Sequence, residues 1–238
     1  MAADDRWWGA RARLQVAAWR GSSDTVVLTP VPERPAPAVG DVHRELDALA
    51  ARGITKVLTG ALHHGELTPF VQAGFIERER LHLLRHDLDQ LPEPTGACRH
   101  RRAWRRDHPA ILDIDERAFD DFWSLDRAGL ADALAATPIS RFRVATDSTP
   151  VGYAITGRAG RRGYLQRLAV DPDRHRHGIG GDLVADSLRW LRRGGASVAV
   201  VNTQVGNHGA LALYLRAGFV PEPHGLTVLS HDLAGPPS

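Results

Sequence analysis

The chain is poor in cysteine, lysine, methionine and tyrosine: one, one, one and three among 238 residues. A single cysteine, Cys98, rules out any disulfide within the chain and fits a reducing compartment. It stands beside a Pro/Gly-rich segment and reads as a free structural thiol. Lys56 is the only lysine, so arginine carries nearly all the positive charge, which reads as compositional bias. No apolar run approaches the ~20 residues that a membrane span needs. Residues Met1 to Trp8 are acidic and lack an apolar stretch, so no secretory signal is expected. The expectation is a cytoplasmic protein with no membrane partner. Neither sign of charge dominates: the net charge is +2 and the pI about 9.1. That balance does not force nucleic acid as a partner.

Apolar residues make up 43% of the chain, enough for a packed core. Leu91-Pro92-Glu93-Pro94-Thr95-Gly96 reads as a linker, and the two sides of it look related. Ala73-Gly74-Phe75 recurs as Ala217-Gly218-Phe219, and His86-Asp87-Leu88 recurs as His231-Asp232-Leu233. Upstream of each Ala-Gly-Phe the pattern predicts helix, strand and short helix in the same order. These are Val42 to Ala51, Ile54 to Leu58 and Leu67 to Ala73 in the first copy. In the second they are Leu183 to Arg192, Val198 to Asn202 and Asn207 to Ala217. Shared order points to an internal repeat. The second copy also has a strand at Arg99 to Arg106 and a helical stretch, Ile111 to Ala136, broken near Phe122 to Asp126. Two β-rich runs follow, then a strand at Tyr164 to Val170 and a closing strand at Leu226 to Leu233. The sum is an α/β chain of α+β type, a mixed sheet with helices on its faces.

The stretch richest in chemistry follows the Tyr164 to Val170 strand. It runs Asp171-Pro172-Asp173-Arg174-His175-Arg176-His177-Gly178-Ile179-Gly180-Gly181 and opens an amphipathic helix. Glycines there let backbone approach a ligand closely. Free N–H groups at a helix start suit a pyrophosphate, and Arg174 and Arg176 add cations. The spacing is not Gly-x-Gly-x-x-Gly, which excludes a Rossmann fingerprint, and no Gly-Lys-Ser/Thr follows, which excludes a P-loop. The first copy has Pro35-Ala36-Pro37-Ala38 at this place. Prolines offer no N–H, so that copy lacks the chemistry.

Two motifs resemble the GNAT superfamily of N-acetyltransferases. One is the strand–turn–helix from Leu165 through Gly181. The other is Asn207-His208-Gly209-Ala210-Leu211-Ala212-Leu213-Tyr214-Leu215-Arg216-Ala217-Gly218-Phe219, similar to the family pattern N-x-x-A-x-x-L-Y-x-x-x-G-F. The resemblance implies a GNAT-like fold with a truncated, related N-terminal subdomain. Residues 1–92 would be a degenerate half domain, 93–97 a linker and 98–238 the catalytic domain. A pair of related domains with one active copy is similar in architecture to mycothiol synthases.

The resemblance implies acetyl-CoA, or another acyl-CoA, as co-substrate and an unidentified amine as acceptor. Leu168, Ala169 and Val170 would pair with the pantetheine arm, and a backbone N–H near Val170 would hold the oxyanion. His175, Arg176, His177, Gly178, Ile179, Gly180 and Gly181 would line the pyrophosphate site. His175 stands where the family usually has Arg or Gln. Tyr214 is the expected catalytic acid, protonating the departing thiolate. Asn207 has two readings, a helix cap and a pantetheine contact. The general base is open. Asn202 stands where related protein acetyltransferases often have Glu, and Glu116, Asp121, His208 or a water chain could substitute. Phe70 stands in the first copy where Tyr214 stands in the second.

No metal is expected, because His175 and His177 alone fall short of a ligand set. His63-His64-Gly65-Glu66 reads as a loop. The basic run Arg99 to Arg106 reads as an exposed strand face, so nucleic acid is not an expected partner. Trp7, Trp8 and Trp19 are read as packing the N-terminal copy, and Phe119, Phe122 and Trp123 as lining an acceptor cleft or supporting a helix. A monomer and a homodimer both remain open. The alternative to an enzyme is a non-catalytic CoA-binding sensor or protein-interaction module.

Overall fold

A computed structural model describes residues 13–32 and 34–233. Trp7 and Trp8 lie outside the described residues. In chain order, β1 (Leu14–Ala18) and β2 (Thr25–Pro30) form an antiparallel pair. Helix α1 (Val39–Ala50) leads to β3 (Lys56–Thr59), which runs parallel to β2. The short β4 (Leu62–His63), α2 (Thr68–Gln72) and the long β5 (Ile76–His86) follow. Next come β6 (Arg99–Arg102), α3 (His108–Ala118), α4 (Arg127–Ala135), β7 (Ile139–Asp147), β8 (Thr149–Ala159) and β9 (Arg162–Val170). Helix α5 (Ile179–Arg193), β10 (Val198–Gln204), α6 (His208–Arg216), β11 (Val220–Pro221) and β12 (Leu226–Asp232) complete the chain.

These elements divide into two compact units, residues 1–82 with 223–238, and residues 83–222. The compositional break at 93–97 is therefore not where either unit ends. Strand β5 begins in the first unit and finishes in the second, and β12 belongs to the first.

In the first unit the strand order is β1-β2-β3-β12-β5, with β4 on β12. Val42, Leu46 and Leu49 of α1 lie on one helical face, at the 3.6-residue period, and bury against Leu14, Val26, Leu28 and Val57. Phe70 of α2 is fully buried in the same cluster, edge-on to Phe75.

In the second unit the order is β10-β9-β8-β7-β6. Helix α5 buries Ile179, Leu183, Val184, Leu188 and Leu191. Val184, Leu188 and Leu191 pack with Leu165 and Val201. The helix stops at Gly194-Gly195, where Gly195 takes φ +83° and Ala196 N–H closes back onto the Leu191 carbonyl. Ile111, Ile114 and Leu130, from α3 and α4, pack with Tyr153, Ile155 and Ala169. The break expected near 122–126 falls at 119–126, and the Asp126 carboxylate caps α4 at Gly129 N–H. The strand expected at Arg99 to Arg106 stops at Arg102, because Asp107 accepts from both Trp104 N–H and Arg101 and turns the chain.

The two units share an element series: an antiparallel pair, a helix, a parallel strand and a second helix. It runs β1-β2-α1-β3-α2 in one and β8-β9-α5-β10-α6 in the other. Among the described residues no helix is long and apolar enough to cross a membrane.

Candidate active site

Strands β9 and β10 pair in parallel only at Arg162–Val198, Gly163–Ala199 and Tyr164–Val200. Beyond Tyr164 they pair no further, although β9 continues to Val170 and β10 to Gln204. A slot therefore opens between them. On its other side β9 stays paired with β8 up to Val170–Gly152, with Gln166 as an extra residue in the ladder. Asp171 N–H bonds the Val151 carbonyl. Backbone groups alternate sides along a strand, so Leu168 and Val170 turn theirs towards the slot and Ala169 turns its own to β8. Of the three expected pantetheine partners, two thus face the opening. The Val170 carbonyl is already engaged by His175, which leaves its N–H.

The chain then turns through Asp171, whose carboxylate is held bidentately by Arg117 of α3 at 2.8 and 3.0 Å. His175 departs from expectation. Its Nε2 donates to the Val170 carbonyl at 3.0 Å and its backbone N–H bonds the Pro172 carbonyl. Both donors close the loop, so neither is offered to an anion. His177 likewise donates Nδ1–H to the His175 carbonyl at 2.8 Å. Arg174 pairs with Asp147 at 3.5 Å. Arg176 takes φ +62° and has no ion pair among the described residues.

Gly178 is the N-cap of α5, at φ +83°. A Cβ there would sit 2.7 Å from Thr95 Oγ1, so both conformation and space demand glycine. Among the described residues no side chain caps this helix. The backbone N–H groups of Arg176, His177, Gly178, Ile179, Gly180 and Gly181 have no hydrogen-bond partner among the described residues. They form a concentrated donor array at the positive end of a 15-residue helix. The corresponding start of α1 differs. There the Asp41 carboxylate takes the Ala38 N–H at 2.8 Å and is paired with Arg13 and Arg44. The first unit has filled its helix start with its own anion.

Helix α6 borders β10. Asn207 caps it, accepting from Ala210 N–H at 3.0 Å, which meets one of its two expected roles. Tyr214 is 5% exposed, lies edge-on to Phe219 and makes no hydrogen bond through its hydroxyl among the described residues. Burial pushes its phenol up to about 12, opposed by the Arg167 guanidinium. It is protonated at neutral pH.

Arg167 is the residue that sequence reasoning missed. It leaves β9 beside the slot and grips Asp115 of α3 with Nε and Nη2 at 2.8 and 2.7 Å. Nη2 also donates to the Trp123 carbonyl at 2.6 Å, and the guanidinium lies 3.5 Å over the Phe119 ring. Asp115 is fully buried and also accepts from the Tyr153 hydroxyl and Leu125 N–H. The segment 119–126 is thereby strapped to β9, and Phe119 is placed against Arg167. The signal was present: Asp115 lies at i+4 from Ile111 on the apolar face of α3, where a carboxylate needs a partner. Glu116 and Asp121, singled out instead, are exposed, as are Asn202 and His208.

The segment read as a linker is tightly held. The Asp182 carboxylate in the first turn of α5 accepts from Thr95 N–H and Oγ1 and from Ala97 N–H. Arg189 donates to the Pro92 carbonyl and to Glu93. An open cleft of about 1040 Å³ lies elsewhere, lined by Arg102, Trp104, Arg105, Arg106, Phe142 and Trp190 among others. It meets α5 only at Trp190, near the helix's C-terminal end, and is lined by no residue of β9 or of the glycine turn.

A splayed parallel pair, a bulged strand and an uncapped glycine turn coincide with a family match over residues 99–219, to the acetyltransferase (GNAT) family. This chain belongs to the GNAT family. It is 42% identical over 60 residues to human N-alpha-acetyltransferase 30, covering 25% of this chain and 17% of that protein. It is 31% identical over 191 residues to mycothiol acetyltransferase of Brachybacterium faecium, covering 72% of this chain and 58% of that protein. The GNAT chain thus spans less than two thirds of the length of either relative. Its fold is shared with a tandem GNAT protein from the clavulanic acid biosynthesis pathway, at TM-score 0.69 and 13% identity, covering 94% of this chain and 79% of that one. A GNAT from Sphaerobacter thermophilus superposes at TM-score 0.65 with 17% identity, over 94% and 78% of the two chains.

Proposed function

We propose that the second unit is an acetyl-CoA-dependent N-acetyltransferase that moves an acetyl group to a primary amine by direct attack in a ternary complex. The observation that carries this reading is the run of six N–H groups from Arg176 to Gly181 that have no partner among the described residues, beside the slot between β9 and β10. The run would hold the pyrophosphate, with Arg176 as an added cation. His177 contributes its backbone rather than its ring, and His175 shapes the loop. The slot-facing backbone of Leu168 and Val170 would receive the pantetheine amides as a further strand. Val170 N–H is then the donor aimed at the thioester oxygen.

In the reaction the neutral amine forms a bond to the carbonyl carbon and the C–S bond breaks. The amine loses a proton and the sulfur gains one. Tyr214 supplies the proton to sulfur and regains one from the amine side through water. A phenol near 12 and a thiol near ~8.5 differ by roughly 5 kcal/mol in favour of the phenol keeping its proton. Tyr214 therefore acts mainly as a hydrogen-bond donor to the developing thiolate, with full transfer late. The Arg167 guanidinium eases that transfer by favouring phenolate. No carboxylate stands at Asn202, and the reading does not require one: an amine delivered neutral to a closed site needs only a route for its last proton.

The first unit, with Phe70 in place of a tyrosine and Asp41 at its helix start, is read as a degenerate, structural copy. The two relatives carry different names, an N-alpha-acetyltransferase in one case and a mycothiol acetyltransferase in the other. The acceptor proposed here goes no further than a primary amine, and the compartment proposed is cytoplasmic.

Calorimetric titration of acetyl-CoA into the whole chain tests the reading. Micromolar binding that is lost in Gly180→Glu supports it, as does CoA release on adding amines. Binding without turnover on any amine would favour a CoA-responsive module. No binding by the wild type would remove the proposal.

A further inference from the structure

Cys98, His100 and Asp182 stand together outside the slot and have no part in the transfer chemistry above. Cys98 and His100 are two residues apart at the start of β6, which puts both side chains on one face of an extended chain. Their Sγ and Nε2 atoms are 3.2 Å apart. Asp182 reaches the same point from the first turn of α5, and one donor atom from each residue lies within 4.8 Å of the other two.

The cluster does not have the arrangement of a nucleophile with its base. Asp182 makes no hydrogen bond to the His100 ring, and its oxygens are turned to Thr95 and Ala97. The thiol is pushed up to about 11 by burial and by Asp182 and Asp147, the opposite of an activated cysteine.

It has the arrangement of a ligand set. Sulfur, imidazole nitrogen and carboxylate oxygen on a tetrahedral zinc ion lie about 3.5 Å from one another. The Cys98–His100 pair, at 3.2 Å, is a few tenths of an ångström from that spacing, and the Asp182 oxygen, within 4.8 Å of both, is at most ~1.3 Å from it. Asp182 is already oriented by backbone donors, as metal-binding carboxylates are. Its Oδ1 accepts from Thr95 N–H and Oγ1, whereas Oδ2 accepts only from Ala97 N–H and keeps a lone pair. The mixed sulfur, nitrogen and oxygen set selects a borderline transition metal over magnesium or calcium. We propose that Cys98, His100 and Asp182 form a three-ligand site for a zinc-like divalent metal, with the fourth position left to water. Such an ion would tie the start of β6 and the 95–97 segment to the first turn of α5. The proposal is independent of the transferase reading.

The test uses the whole chain, stripped with a chelator and titrated with Co²⁺ and then Zn²⁺. The expected result is one ion per chain, with a thiolate-to-cobalt charge-transfer band and the intense visible absorption of tetrahedral cobalt. Zn²⁺ should displace the cobalt and protect the single thiol from a thiol-specific reagent. Cys98→Ser, nearly isosteric, should lose the charge-transfer band and weaken Zn²⁺ at least tenfold, and His100→Gln should do likewise. His64→Gln, at an exposed histidine, should change nothing. Cobalt bound without a thiolate band, or Zn²⁺ affinity unchanged in Cys98→Ser, would place the ion on exposed histidines and overturn the proposal. A freely reactive thiol at saturating Zn²⁺ would overturn it without any variant.

Discussion

Replacing Asp115 by alanine tests whether the buried ion pair holds the 119–126 segment to β9. The carboxylate is fully buried and satisfies two Arg167 N–H groups, the Tyr153 hydroxyl and Leu125 N–H. Its removal leaves the Arg167 guanidinium, whose side chain is 12% exposed, with only the Trp123 carbonyl and the Phe119 ring. An unpaired buried charge of this kind costs about 3–5 kcal/mol. For a chain of this size each kcal/mol lowers the melting temperature by roughly 2–4 °C, so the unfolding of the second unit should fall by ~6–20 °C. Scanning calorimetry is the assay, because it separates transitions if the two units melt apart. Arg167→Met alone should also destabilise, since Asp115 then keeps only its Tyr153 and Leu125 bonds. The double variant should be less damaged than the sum of the singles by about 2 kcal/mol. An Asp115→Ala loss below ~1 kcal/mol, or additivity in the cycle, would refute the reasoning. The carboxylate would then be a tolerated burial and not the anchor of the segment.

Tyr214→Phe is expected to lower turnover by ~10² or more at unchanged acetyl-CoA affinity, and a wild-type rate in that variant would remove the phenol from the mechanism. Gly181→Ala should leave acetyl-CoA affinity within about twofold, because its Cβ would meet open space, whereas Gly178→Ala should weaken it and cost at least ~1 kcal/mol of stability through its positive φ and its contact with Thr95. Isothermal titration and urea melts distinguish the two. His86 sets a pH dependence. It is 2% exposed, its Nδ1 accepts from Leu88 N–H at 2.9 Å and its Nε2 donates to the Ala217 carbonyl, so the ring is neutral. Burial holds its pKa below the ordinary imidazole value of about 6.5. The unfolded chain therefore binds the proton first, and stability present above about pH 6.5 is lost as pH falls through the folded value. Asp107, held down to about 2 by Arg101, acts only below its ordinary 3.8 and leaves that window clear. Urea midpoints should decline between pH 7 and 5 in the wild type and decline less in His86→Gln.

Patterns that act over one turn or one strand were legible in the sequence. The apolar spacing of α5, the Gly194-Gly195 stop, the Asn207 cap and the glycine turn all lie where the residues imply, because each depends on neighbours within about five positions. What failed to be legible depends on partners far along the chain. His175 reads as a pyrophosphate residue until the curl of its loop brings Nε2 back to the Val170 carbonyl. Residues 93–97 read as a free linker because nothing nearby announces that Asp182, almost ninety positions on, collects their N–H groups.

The repeated tripeptides make the same point most sharply. In the sequence each Ala-Gly-Phe is followed by a His-Asp-Leu, 73–75 by 86–88 and 217–219 by 231–233. The structure matches them the other way. Gly74 and Phe75 meet His231, which bonds the Gly74 carbonyl at 3.0 Å, and Gly218 and Phe219 meet His86, which bonds the Ala217 carbonyl at 3.1 Å. Both glycines take φ +90° and would press a Cβ onto the histidine ring. The two contacts are alike in kind but not in detail: buried His86 uses Nε2 on the Ala217 carbonyl, whereas half-buried His231 uses Nδ1 on the Gly74 carbonyl. The pairing is set by where the strands lie: β12 is paired between β3 and β5, and the end of β5 is paired with β11. A repeat read from sequence thus fixes the kind of contact that forms and leaves its partner to topology. For this chain the last strand of the second copy completes the unit that lacks the acetyltransferase motifs, so truncating the chain before Leu226 should unfold the first unit while leaving the glycine turn, the slot and Tyr214 with all their observed partners.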